Sequence, residues 1–106
     1  MNHGNNEPYW MVKTGNYVLI YNITYSMNPH FTEYELWEYG IECCLYNLKD
    51  ELISSAHVSH ISPELDKVNE MIRICVNQQV FPVHLTEIIS DLLEKTDEDE
   101  LSKLAN

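Results

Sequence analysis

The sequence is poor in positive charge. Its 106 residues include 6 lysines and arginines against 17 aspartates and glutamates, which gives a formal net charge of -11 at pH 7. Proteins that bind nucleic acid gain most of their affinity by neutralising phosphates with basic side chains. The composition therefore argues against direct binding to nucleic acid or to an anionic membrane surface, and it favours a basic protein as the partner.

Glycine and cysteine are also scarce, with three of each. The chain has no glycine-rich loop that could hold phosphates and no Gly-x-Ser-x-Gly pattern. Two of the cysteines, Cys43 and Cys44, are adjacent, which is not a disulfide framework and predicts a reducing environment. His57 and His60 have no third metal ligand at a fixed spacing. These absences predict a binding protein rather than an enzyme, with no cofactor and no metal.

Long apolar runs are missing as well. No stretch approaches the roughly 20 apolar residues of a membrane span. The first ten residues, MNHGNNEPYW, lack the basic region and the apolar segment of a signal peptide. We therefore expect a cytoplasmic protein with a single domain over residues 1–106, in which residues 1–8 are flexible.

A β-hairpin is predicted near the N-terminus. Two runs rich in aromatic and β-branched residues, 9–13 and 17–25, flank the turn sequence Thr14-Gly15-Asn16. In the second run, alternate residues form one aromatic and aliphatic face: Tyr17, Leu19, Tyr21, Ile23 and Tyr25. Because an isolated hairpin is marginally stable in water, we expect this face to pack on helices.

The stretch from Phe31 to Ile53 is predicted to be the longest helix. Its apolar residues recur at steps of three and four: Tyr34, Trp37, Ile41, Leu45, Leu48 and Leu52. Thr32 and Glu35 have the spacing of a capping box. Gly40 lies inside the pattern and would allow another element to pack closely.

Two further helices are predicted after a linker at 54–61. The first is opened by Ser62-Pro63 and ends near residues 77–79, and the second runs from Pro82 through Glu94. Residues 97–106 form either a short fourth helix or a frayed tail. The predicted fold is therefore α+β and mostly helical, with an N-terminal β-hairpin packed on three or four helices.

One face of the predicted long helix combines carboxylates with tyrosines. The predicted partner contacts are Glu35, Glu38, Tyr39, Glu42 and Tyr46, with Asp97, Glu98, Asp99 and Glu100 as a second contact. Tyrosines supply rigid contact area, and carboxylates steer and orient a basic partner. The alternative interpretation is an ordinary solvated helix face.

These features favour a small inhibitor that acts by binding. The predicted function is that of an immunity protein or antitoxin that occludes the basic active site of a bacterial toxin nuclease. Two alternatives remain open. One is a homodimeric structural or regulatory adaptor that pairs through the exposed edge of its hairpin. The other is an acidic mimic of DNA that inhibits a DNA-binding protein.

Overall fold

The chain folds into an antiparallel sheet with helices on one side. A computed structural model describes residues 9–30 and 35–105, with side chains at 10–30 and 35–95, and these residues form four strands and two helices. The elements are β1 (Tyr9–Thr14), β2 (Tyr17–Met27), β3 (Trp37–Asn47), β4 (Leu52–Ser62), α1 (Leu65–Gln78) and α2 (Pro82–Ala105). The strands lie in the order β1-β2-β3-β4, so each pairs with its neighbour in the chain.

The prediction of a mostly helical fold with three or four helices is wrong. Within residues 10–30 and 35–95, whose side chains are described, strand accounts for 46% and helix for 34%. Of the predicted helix from Phe31 to Ile53, residues 37–53 form β3, a turn and the first residues of β4, and the predicted linker at 54–61 belongs to β4. Residues 31–34, which include Thr32 of the supposed capping box, lie outside the described residues.

The spacing of the apolar residues explains this error. Trp37, Ile41 and Leu45 are four residues apart, and residues four apart share a face in a strand as well as in a helix. The true period is two, because Cys43, between Ile41 and Leu45, points the same way. Ile41, Cys43 and Leu45 are all buried against the helices. Steps of four alone therefore did not distinguish the two structures.

The turn between β3 and β4 is closed by the side chain of Asn47. Its Oδ1 accepts the backbone N–H groups of Lys49 at 2.8 Å and Glu51 at 3.0 Å, while its Nδ2 donates to Glu51 Oε1 at 2.8 Å. Asp50 adopts a left-handed conformation with φ 64°. Asparagine and aspartate favour such turns because their side chains bond the nearby backbone and tolerate positive φ.

Other predictions are confirmed. The N-terminal hairpin forms as β1 and β2, with Trp10 opposite Tyr21 in its register. A helix follows Ser62-Pro63, although it begins only at Leu65. Just before the helix, Ser62 Oγ accepts a hydrogen bond from the Glu64 N–H at 3.0 Å. A second helix begins at Pro82, and it continues without a break through the segment for which a separate fourth helix was considered.

The core lies between the sheet and the helical layer. Its buried members are Leu19, Tyr21, Ile41, Cys43, Leu45, Val68, Met71, Ile72, Cys75, Val80, Leu85 and Ile89. The Tyr21 hydroxyl donates to the carbonyl of Val80 at 2.7 Å and lies 3.3 Å from that of Cys75. This contact fixes the connection between α1 and α2 onto β2, and so it fixes which face of the sheet the helices cover. No helix in the described part of the chain has the length and apolar character needed to cross a membrane.

Candidate functional site

One face of the sheet carries no helix of the described chain. The cross-strand register arranges its side chains in three rows. These are Asn22, Glu42 and His57; then Met11, Ile20, Cys44 and Ser55; and then Lys13, Val18, Tyr46 and Leu52. We call these eleven side chains the open face. They are half-buried or exposed, whereas the core residues of the opposite face are buried.

The structure divides the predicted contact residues between two surfaces. Glu42 and Tyr46 lie on the open face, two rows apart, and Glu38 points to the same side of the sheet but is buried there. Tyr39 points to the opposite face, because successive residues of a strand alternate. Glu35 precedes β3, and its Oε2 accepts the indole N–H of Trp37 at 3.4 Å. The single acidic and tyrosine-bearing face that a helix would have created therefore does not exist.

Glu38 is part of the structure rather than a free contact residue. It is 9% exposed, and its Oε1 accepts a hydrogen bond from Asn28 Nδ2 at 2.7 Å. His60 Nδ1 lies 3.8 Å from the same oxygen, and His60 itself has a left-handed backbone with φ 57°. A buried carboxylate with these neighbours ties β3 to the end of β2 and to β4.

The acidic block Asp97–Glu100 lies within the backbone of α2, but its side chains lie outside the described residues. Its role as a second contact stays a prediction.

The thiols are poorly suited to nucleophilic chemistry. Cys43 and Cys75 are fully buried, and burial raises the pKa of Cys43 to about 12 and that of Cys75 to about 11. Burial also raises the pKa of Cys44 on the open face, and the Glu42 carboxylate adds to the rise. Because the thiolate is the reactive species, a raised pKa lowers the reactivity of a thiol near neutrality. Within the described residues, no three His, Cys, Asp or Glu side chains are grouped to hold a metal.

The buried thiols predict a loss of stability at alkaline pH. In the unfolded chain they ionise near pH 9.0, whereas in the folded protein they keep their protons until about pH 11 to 12. Below pH 9 both states are protonated, so the free energy of unfolding is unaffected. Above it, the unfolded state alone loses protons, and each thiol lowers the free energy of unfolding by about 1.4 kcal/mol per pH unit.

Urea denaturation at several values between pH 8 and pH 10 measures this slope. Cys43→Ala is the matched variant: it starts from a lower stability, and its slope should be less steep, with Cys75 and Cys44 accounting for the remainder. An unchanged slope in Cys43→Ala would contradict the assignment.

A shallow cavity lies on the helical side of the molecule. Its volume is about 410 Å³, and its lining residues are Trp10, Asp66, Asn69, Glu70 and Arg73. Arg73 Nη2 is 2.8 Å from Glu70 Oε2, so the guanidinium in this cavity is already paired within its own helix. We assign the cavity no chemistry.

An aromatic cluster at the far end of β2 and β3 was not predicted from the sequence. Tyr25 stacks on Trp37 with ring centroids 5.2 Å apart, and it also contacts Tyr39 at 4.5 Å. Only the correct strand register brings these rings together, because Tyr25 lies directly opposite Tyr39. When β3 is interpreted as a helix, no spacing in the sequence groups these rings.

The comparisons with known proteins identify a family but not an activity. The chain belongs to the family described as a family of unknown function (DUF6514), whose model matches residues 8–95. The matched span contains the whole sheet and leaves out Asp97–Glu100. No curated protein and no solved structure matches the chain.

Proposed function

We propose that this member of the DUF6514 family is a binding protein that inhibits a basic protein partner by covering it with the open face of its sheet. The observation that carries the proposal is the open face itself. It lies on the side of the sheet away from the helices and has the Glu42 carboxylate on β3. The partner class we favour is a toxin nuclease, with this chain as its immunity protein or antitoxin.

The whole side of the sheet that carries the open face is large enough for a specific interface. Strands of 11 residues are about 36 Å long, and four strands side by side are about 19 Å wide. A rectangle of those dimensions is about 700 Å², although the shorter β1 reduces it somewhat. Each partner in a standard protein complex buries about 800 Å².

Glu42 gives the open face its preference for a cation. It is half-buried on β3, with Asn22 opposite it on β2 and His57 opposite it on β4. A partner that covers this surface removes the carboxylate from water. Burying an unpaired charge is costly, so a partner that binds well must place an arginine or lysine against Glu42.

The overall charge favours the same partner. A net charge of -11 attracts a basic protein over a long range and raises the rate of association at low salt. Nuclease active sites must bind phosphates and are therefore basic. An acidic mimic of DNA would use the same charge against a DNA-binding protein, so the identity of the captured partner separates these two inhibitor hypotheses.

The first test captures the partner and then maps the contact. Tagged protein is incubated with lysate of its own cells at low salt, and the partner is eluted at high salt and identified. We expect a basic protein whose activity the chain suppresses. Once the partner is identified, Glu42→Lys should weaken its binding to this chain by about 100-fold or more, because the substitution replaces an attractive contact with a repulsive one.

Glu87→Lys provides the matched control. It makes the same charge change on an exposed residue of α2, on the other side of the sheet, and should change affinity by less than about threefold. Cys44 provides a second measurement, since a bound partner should slow its alkylation by an uncharged maleimide. Equal effects of the two lysine variants, or unprotected Cys44 in the complex, would contradict the open face as the interface.

One observation favours the alternative function of a homodimeric adaptor. The β2 edge of the N-terminal hairpin is occupied by β3, so the exposed edges among the described strands belong to β1 and β4. From Leu52 to Ser62, β4 contains no charged residue and no proline, the residues that usually protect an edge. Self-association would, however, bring together two chains that each carry -11. Sedimentation at several protein concentrations decides, because the adaptor requires a stable dimer.

A further inference from the structure

The aromatic cluster belongs to an exposed apolar patch formed by two cross-strand pairs. Tyr25 lies opposite Tyr39, and Met27 lies opposite Trp37. These four side chains point to the same face of the sheet as the core. The exposed fractions are 54% for Tyr25, 45% for Met27 and 42% for Trp37. Tyr21 and Ile41, further along the same face, are fully buried. The helical layer therefore covers the middle of this face and leaves the rings at its end in contact with solvent.

The patch has a carboxylate at its rim. Glu35 Oε2 lies 3.4 Å from the indole nitrogen of Trp37, and Glu35 is itself exposed. The faces of aromatic rings are negative, so they attract a cation placed over them. An anionic ligand would be repelled by the ring faces, by this carboxylate and by the net charge of -11. The occupant that suits the patch is therefore cationic.

Ring geometry favours arginine over lysine. The guanidinium group is planar and weakly hydrated, so it can stack on Tyr25 or Trp37 while its N–H groups reach a carboxylate such as Glu35. A lysine ammonium is a compact, strongly hydrated charge and gains less from exposed rings.

We infer that the patch of Tyr25, Met27, Trp37 and Tyr39, with Glu35 at its rim, is a docking site for an arginine side chain of a basic protein partner. The inference rests on the proposed function in taking the partner to be basic. It adds a second contact, on the side of the sheet opposite to the open face, that a flexible arginine-containing segment can reach.

Tryptophan fluorescence tests the inference directly. The chain has two tryptophans, so Trp10→Phe leaves Trp37 as the single tryptophan, whose emission is excited selectively at wavelengths where tyrosine does not absorb. In this background we expect hexaarginine to change the Trp37 emission at low salt and to bind at least about fivefold more tightly than hexalysine. Tyr25→Leu should remove most of that preference while leaving the weaker binding of hexalysine nearly unchanged. Glu35→Gln should weaken the binding of both peptides.

Tyr17→Leu is the control for the loss of a ring. Tyr17 is an exposed tyrosine of the same strand and the same face, 40% exposed, at the opposite end of β2. Circular dichroism verifies that each variant folds. Equal affinity for the two peptides, no binding of either, or equal effects of Tyr25→Leu and Tyr17→Leu would each overturn the inference. Because this readout is at Trp37, it can fail while Cys44 protection by the partner succeeds, so the two proposals are judged separately.

Discussion

Replacing Gly40 with alanine is expected to destabilise the protein by about 3 kcal/mol, because there is no room for a Cβ atom at this position. A Cβ on Gly40 would collide with the backbone carbonyl of Val58, lie 2.6 Å from Thr24 Oγ1 and 3.0 Å from the Cα of Ser59. Two of these neighbours are backbone atoms of β4, so the strand itself would have to move. For a domain of this size, the melting temperature should fall by about 12 °C or more.

Gly15 is the matched control for this prediction. It has φ 60° and nothing within 4 Å of the position a Cβ would occupy, so alanine there meets conformational strain and no collision. We expect Gly15→Ala to cost about 1 kcal/mol and Gly15→Asn less, because asparagine tolerates the left-handed region. Thermal and urea denaturation of the variants measure the difference. A Gly40→Ala variant as stable as Gly15→Ala would contradict the close approach of β4 to β3.

Replacing Glu38 with lysine is expected to cost about 3 kcal/mol of stability. The change removes the acceptor of the Asn28 bond and places an ammonium group beside His60 at a position that is 9% exposed. Glu38→Gln retains a carbonyl oxygen that can accept the same bond, so its loss should be about 1 kcal/mol. Urea denaturation at neutral pH measures both variants.

The control for Glu38 is again Glu87→Lys, an exposed charge reversal that should change stability by less than about 0.5 kcal/mol. If Glu38→Lys were as stable as this control and lost only affinity for a partner, Glu38 would be a contact residue after all. The stability measurement therefore has to precede any binding measurement on Glu38 variants.

The sequence predicted correctly those elements whose residue pattern is typical of a strand or of a helix but not of both. The hairpin of β1 and β2 was recognisable from its composition and its turn at Gly15. The helix after Pro63 and the helix from Pro82 have apolar residues at steps of three as well as four. Within β3 itself the apolar steps are all of four, because the steps of three in the predicted helix lie at 34–37 and 45–48 and extend beyond the strand. Its turn at Asn47 was detectable, since an asparagine and an aspartate lie between two apolar runs.

The site could be predicted only in part, because it depends on strand register. Glu42 and Tyr46 were chosen for their residue types, and they do share a face of the sheet. Glu38 was grouped with them by the same reasoning, yet its burial follows from Asn28 and His60, which are 10 and 22 residues away in the chain. The partnership of Tyr25 with Trp37 likewise follows from register alone. The net charge is known from the sequence, but the location of each charged side chain on the folded protein is not.

The meander order of the sheet has a consequence for how a newly made chain folds. Each strand pairs with the next through a connection of two to nine residues, so the entropy lost in closing each hairpin is small beside that of docking the helices. Docking of the helical layer closes a far longer stretch, since Tyr21 and Val80 are 59 residues apart. During synthesis the sheet emerges from the ribosome before the helices, and its apolar side stays unprotected until α1 and α2 arrive. Residues 1–62 contain 7 acidic and 2 basic residues, a net charge of -5, so repulsion between nascent sheets opposes their association through that side.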